Sequence, residues 1–192
     1  MYRTEGFTII KKVVVGITGM PGAGKGVFRR TVQRLSYPIV IMGDEVREEV
    51  KQRNLKPTPE NVGKTMLSLR EADGPAVIAK RCIPKIMNHV NNAVFIDGIR
   101  SFVEVEEFKK HFPNFILLTI HASPKTRYQR LFRRRRSDDP RNWGTFMERD
   151  LRELGIGVGP VISVADYMIV NEGTIEHLKT KTLKFMNEVF EK

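Results

Sequence analysis

Val13-Val14-Val15-Gly16-Ile17-Thr18-Gly19-Met20-Pro21-Gly22-Ala23-Gly24-Lys25-Gly26 is the stretch on which the reading of this chain turns. The apolar run Val13 to Ile17 predicts a short buried strand. After the glycines, Val27, Phe28, Thr31, Val32 and Leu35 recur at helical spacing and predict a helix with one apolar stripe against a sheet. Strand, glycine loop and helix in that order make successive backbone N–H groups and the positive helix end converge on one point, which is what a phosphate requires. Lys25 adds a mobile cation there. Gly19, Met20, Pro21, Gly22, Ala23, Gly24, Lys25 and Gly26 are therefore the candidate phosphate-binding residues. A plain turn gains nothing from a lysine at the helix start. The usual loop places a Mg²⁺-ligating hydroxyl after the lysine; Gly26 has none, so a metal must be held by other groups.

Composition narrows the choice of partners. The chain has 33 Lys and Arg against 22 Asp and Glu, a formal charge of +11. A solvated basic surface explains part of this excess, phosphorylated substrates come next, and nucleic acid third. No apolar run approaches the length of a bilayer, and residues 1–11 lack the apolar core of a signal peptide, so a cytoplasmic location without membrane partners is expected. The single cysteine, Cys82, falls on the apolar stripe of a predicted helix and reads as core. The four histidines, His89, His111, His121 and His177, show no paired metal-ligand spacing.

Strands alternate with helices along the rest of the chain, which predicts an α/β domain with a five-stranded parallel sheet. Pro38 to Met42 reads as a second strand ending at Gly43-Asp44, with a helix from near Glu45. Thr58 and Pro59 cap a helix reaching about Ala72; Asp73-Gly74-Pro75 interrupts, and a further helix carries Ile78, Cys82, Ile86 and Val90, bent at Pro84. Arg70, Glu71 and Asp73 lie near the turn of this helical pair and read either as a solvated helix end or as part of the cover of an acceptor site. Ala93 to Ile96 delivers Asp97 and Arg100 to the edge reached by the glycine loop, and Ser101 with Glu104 forms a capping box. Phe115 to Ile120 is the fourth strand. Ser123-Pro124 starts a helix with Arg127 and Arg130 that runs into Arg133-Arg134-Arg135-Arg136-Ser137-Asp138-Asp139. Four adjacent arginines repel one another unless an anion reaches them. Gly155 to Pro160 reads as a loop, Val161 to Ala165 as a short turn or helix, Tyr167 to Val170 as the fifth strand, and a last helix begins at Thr174. Residues 1–11 are not assigned to an element.

These fragments resemble a known family. Gly19-Met20-Pro21-Gly22-Ala23-Gly24-Lys25-Gly26 has the loop form of adenylate kinases and their nucleoside monophosphate kinase relatives, although Val27 stands where they usually carry Thr. Gly43-Asp44-Glu45-Val46-Arg47, Asp97-Gly98-Ile99-Arg100 (one residue shorter) and Arg136-Ser137-Asp138-Asp139, followed by Arg149, are similar to further adenylate kinase segments. Ala165 to Asn171 resembles the adenine-side loop of dephospho-coenzyme A kinases. The whole is most similar to archaeal adenylate-kinase-related P-loop proteins of unestablished substrate.

The resemblance implies a P-loop three-layer sandwich spanning residues 1–192, with an acceptor-binding helical insertion at about 44–90 and an Arg-rich lid at about 131–146. ATP and Mg²⁺ are the implied cofactors. Lys25 and the loop amides would hold the β- and γ-phosphates, Asp97 would fix Mg²⁺ through water, and Arg130, Arg134 and Arg136 would close on the transferring group. Arg47 and Arg100 would hold an acceptor phosphate, Asp44 would take the proton of a hydroxyl acceptor, and Asn171 would adjoin the adenine. The implied reaction moves the γ-phosphate of Mg-ATP to a small nucleotide-like acceptor, a nucleoside monophosphate or a dephospho-coenzyme A type. Two other readings stay open. One is an RNA- or ribosome-associated ATPase, favoured by charge and disfavoured because no aromatics interleave the arginines; the other is a nucleotide-binding regulator without turnover, suggested by Gly26 and Val27.

Overall fold

The computed structural model describes residues 12–136 and 138–190; the lead-in segment and Ser137 lie outside the described residues. Five strands form one parallel sheet in the order β2-β3-β1-β4-β5: β1 Val13–Thr18, β2 Ile39–Ile41, β3 Ala93–Asp97, β4 Asn114–His121 and β5 Tyr167–Val170. Central β1 pairs Val15 with Phe95 on one side and with Ile116 on the other. Because all strands run the same way, every strand's carboxyl end lies on one edge, and the chain reverses its direction of winding next to β1. That edge is where the glycine loop emerges.

Nine helices connect and cover the described strands: α1 Lys25–Arg34, α2 Met42–Gln52, α3 Pro59–Asp73, α4 Val77–Met87, α5 Phe102–His111, α6 Pro124–Arg134, α7 Trp143–Ile156, α8 Val158–Ser163 and α9 Ile175–Phe190. Side-chain alternation along β1 splits the core into two layers. Val15 and Ile17 pack with Phe28 and Val32 of α1 and Leu178, Phe185 and Met186 of α9. Val14 faces the opposite layer with Val46, Cys82, Val105, Phe108 and Val161. Gly16 shares that second face for a steric reason: a Cβ there would lie 2.4 Å from Ile99 Cδ1 and 2.6 Å from Phe115 Cζ. Burial of a side chain such as Phe28, fully enclosed and ringed by Phe95 and Phe185, stabilises the sandwich by about 2–3 kcal/mol.

Local chemistry sets the boundaries. Thr58 accepts from Asn61 N at the start of α3, and Ser101 and Glu104 close the capping box of α5. Cys82 is fully buried, and burial pushes its thiol up to about 12. Four expectations are corrected. Met42 belongs to α2 rather than to the strand, which shortens β2 to three residues. Leu35 is the C-cap of α1 and Val90 lies beyond α4, 95% exposed, so neither sits in the core. Residues 155–160 are the junction of two helices, pivoting on Gly157 at φ 112, because only that one residue has to leave helical geometry. The last helix starts at Ile175, one residue later than expected.

Among the described residues, no helix is long and apolar enough to cross a membrane.

Candidate active site

The glycine loop is held from below and from both sides. Gly19 adopts φ 135 and passes so close to β4 that a Cβ would meet Ile120 O at 2.2 Å. Gly24, at φ 117, is the N-cap of α1; a Cβ there would meet Asn171 Nδ2 at 2.3 Å. Asn171, just past β5, donates from Nδ2 to Ala23 O at 2.8 Å, and its own N–H donates to His121 O at 2.7 Å. The sequence candidate for an adenine contact therefore braces the loop. Arg127 is a second brace: it donates to Ala122 O and Pro21 O, and its guanidinium forms a buried two-pronged pair with Asp150 of α7, stacked 5.1 Å from the Phe146 ring.

Lys25 bends back onto its own loop and donates to Gly19 O and Met20 O. Burial lowers its ammonium to about 8, against the opposing pull of Asp97. Asp97 ends β3, is 9% exposed, and pairs with Arg29 Nη1 at 3.3 Å. Arg29 was not among the candidates read from sequence. It follows Lys25 by one helical turn on the same face of α1, and that spacing was the available signal.

Two cavities open on this edge and share a wall. The first, about 670 Å³, is lined by the loop, Arg130, Arg134, Arg136, Asn171 and Ile175. The second, about 790 Å³, is lined by Met42, Val46, Val62, Met66, Ile78 and Ile99 together with Arg47, Arg70 and Arg100. Pro21, Lys25, Arg29, Asp97 and Arg100 belong to both. Arg100 Nη1 lies 3.4 Å from Glu153 of α7. Arg70 is not a solvated helix end: it reaches the buried Glu104 at 2.8 Å, and Glu104 also accepts from the Arg100 N–H.

The arginines of the α6–α7 segment do different jobs. Arg130 donates to Gly173 O at 3.0 Å, and its Nη1 is buried without a hydrogen-bond partner among the described residues; burial lowers its pKa. A buried guanidinium nitrogen left over at a cavity wall is a donor suited to an anion. Arg134 grips Asp139 with Nε and Nη2, and Arg136 N donates to the same carboxylate at 2.8 Å. Burial raises the Asp139 carboxyl, but these bonds outweigh it and hold the group below the usual range. Arg149 donates to Asp138, so Asp138 and Asp139 tie Arg134 at the end of α6 to Arg149 of α7. Arg127 is only 3% exposed.

Asp44 is not brought into either cavity. Because α2 already begins at Met42, Asp44 lies in its first turn, where the side chain is 56% exposed and pairs with Arg47 three residues on. For a divalent cation the fit is narrow but real: of the three carboxylates common to both cavities, Asp138 and Glu153 are paired with Arg149 and Arg100, while Asp97 ends β3 beside the loop, and Mg²⁺ is commonly held by one carboxylate plus phosphate oxygens and water. No group of three or more His, Cys, Asp or Glu able to hold a metal occurs among the described residues.

A parallel sheet in this order, with a lysine-bearing glycine loop after its central strand and two cavities meeting there, defines a P-loop protein of the kinase-like type. Solved structures agree at the level of fold: a shikimate kinase from Bacteroides thetaiotaomicron superposes with TM-score 0.59 at 17% identity over 94% of this chain and 99% of that one, and TT1252 from Thermus thermophilus with TM-score 0.62 at 17% identity over 92% and 97%. The AAA domain family matches residues 18–146. The UPF0200 protein PF1294 of Pyrococcus furiosus is 44% identical, covering 93% of this chain and 98% of its own, and the UPF0200 protein MJ1399 of Methanocaldococcus jannaschii is 45% identical over 92% and 90%. The chain belongs to the UPF0200 family.

Proposed function

We propose that the protein is an ATP-dependent kinase of a small acceptor bearing an anionic group. The observation that carries this is the shared wall: Lys25, Arg29, Asp97 and Arg100 stand where a polar, cation-lined cavity meets a cavity that is apolar on one side and arginine-lined on the other. A triphosphate entering the first from the α9 side presents its terminal phosphoryl group to a molecule seated in the second. The whole chain acts as one domain, with residues 44–90 forming the acceptor side and residues 131–146 the lid.

Lys25 and the loop amides hold the β- and γ-phosphates, and Arg130, Arg134 and Arg136 offset charge on the transferring group. Mg²⁺, held through water by Asp97, would neutralise phosphate oxygens when bound. On the other side, Met42, Val46, Val62 and Met66 offer an apolar seat for a ring, while Arg47, Arg70 and Arg100 hold an anion. An acceptor phosphate oxygen is already ionised, so it attacks the γ-phosphorus with no base; the bond to the β–γ bridging oxygen breaks and ADP leaves. Asp44, paired with Arg47 and outside the cavities, positions that arginine rather than taking a proton. This favours nucleoside monophosphates over hydroxyl acceptors such as dephospho-coenzyme A.

The test is incubation with Mg-ATP and a panel of nucleoside monophosphates, nucleosides and dephospho-coenzyme A, with ADP and phosphorylated acceptor measured together. Transfer to a monophosphate, abolished by Lys25→Ala and changed less than about tenfold by Asp44→Asn, is expected. ADP release without a phosphorylated acceptor, or tight ATP binding without turnover, would refute the kinase reading.

A further inference from the structure

On the outer side of the α6–α7 segment the fold gathers rings and cations that the sequence leaves apart. Tyr128 is the hub: its ring lies 5.8 Å from Phe132, 5.3 Å from Trp143 and 5.6 Å from Phe146. Phe146 is fully buried, but Phe132 and Trp143 remain 44% and 46% exposed. Arg133 follows Phe132 directly, Arg141 precedes Trp143 by two residues, and Arg135 stands between them in a left-handed conformation at φ 53. All three are exposed. Asp138 and Asp139, the acids of this segment, are already taken by Arg134 and Arg149. Three guanidiniums without an ion-pair partner among the described residues thus bracket two half-bare aromatic rings.

This arrangement removes the objection raised by the sequence, where no aromatics interleave the arginines. The rings come from two helices and meet only in three dimensions. We propose that this outer face binds single-stranded nucleic acid, with bases stacking on Phe132 and Trp143 and phosphates meeting Arg133, Arg135 and Arg141. A charge of +11 supplies the long-range attraction, and π-faces are what unpaired bases offer and a duplex hides. The site is separate from the nucleotide cavity. Phe132, Arg133, Arg135, Arg141 and Trp143 line neither of the two cavities.

Trp143 is the only tryptophan, so its emission reports base stacking directly. The full chain is titrated with a fluorescein-labelled oligouridylate of about twelve nucleotides, long enough for a site of this kind. Binding should raise the anisotropy, quench Trp143, and weaken with salt. Replacing Arg133, Arg135 and Arg141 together by Gln should lower the slope of log K against log salt by about two. Trp143→Ala should lose about tenfold or more, while Trp143→Phe, which keeps a stacking ring, stays within about threefold. ATP affinity of the triple-Gln variant should be unchanged. The proposal is overturned by no anisotropy change, by equal binding of a duplex of the same length without quenching, by full competition from Mg-ATP, or by preference for phosphatidylserine vesicles over the oligonucleotide.

Discussion

Raising the pH from 7 to 9 in a nucleotide titration probes the phosphate loop through its lysine. Burial holds the Lys25 ammonium at about 8 instead of its ordinary 10.5. A bound triphosphate favours the charged form, so only the protonated protein binds well and the proton must be present before binding or taken up with it. From a group titrating at about 8, ATP affinity falls about twofold by pH 8 and about tenfold by pH 9 relative to pH 7, about 1.4 kcal/mol at the upper end. The terminal phosphate of ATP, whose last ionisation lies at about 6 to 7, gains rather than loses negative charge across that range, so it cannot cause the fall. Folding stability moves the other way. The unfolded chain holds this proton more tightly, so it binds more protons than the native state between about pH 8 and 10.5, and the contribution of Lys25 to stability rises with pH in that window. Isothermal titration calorimetry at pH 7, 8 and 9 in buffers of different ionisation enthalpy measures both affinity and proton uptake. Lys25→Met should bind weakly and lose the pH dependence. A flat affinity from pH 7 to 9, or the same slope in Lys25→Met, would refute the reasoning.

Three further outcomes follow from contacts around the loop. Arg127→Ala leaves Asp150 buried without its partner and should cost about 3–5 kcal/mol in urea unfolding, whereas the double change to Met at Arg127 and Leu at Asp150 should recover much of that loss. Gly16→Ala forces a methyl into Ile99 and Phe115 and should destabilise by about 1–3 kcal/mol, read as a lower urea midpoint at unchanged m-value. Arg29→Ala removes the cation paired with Asp97; in steady-state kinetics, transfer to the acceptor should fall by about tenfold or more with ATP binding less affected.

The fold was legible because its signals are local. The loop, the five strands and the caps at Thr58 and Ser101 each depend on residues within one turn or one strand, and each stands where the sequence places it apart from the ends of β2, which loses Met42 to α2. What was not legible joins distant parts of the chain. Arg127 and Asp150 are 23 residues apart, Arg70 and Glu104 are 34 apart, and Asn171 reaches Ala23 across 148, so no periodicity announces them. The misreading of Gly155 to Pro160 has a different cause: three glycines and a proline in six residues imitate a loop, but α8 takes its proline near its start, where the missing N–H costs nothing. Asp44 shows that a motif can be present in order while the backbone phase of α2 turns its carboxylate elsewhere.

Charge is the property that ties the site to the composition. Eight cationic side chains and three carboxylates line the first cavity, a net of +5 out of the +11 of the chain. Each of these carboxylates faces an arginine: Asp97 meets Arg29, Glu153 meets Arg100, and Asp138 meets Arg149. The acids therefore do not cancel the field of the cavity; they aim the guanidiniums by fixing one edge of each planar fork and leave the other donors for an incoming anion. A polyanion of the charge of ATP offsets most of that +5. That is the physical reason for reading Arg130, Arg134 and Arg136 and the lysine of the loop as one device, assembled around the end of β1.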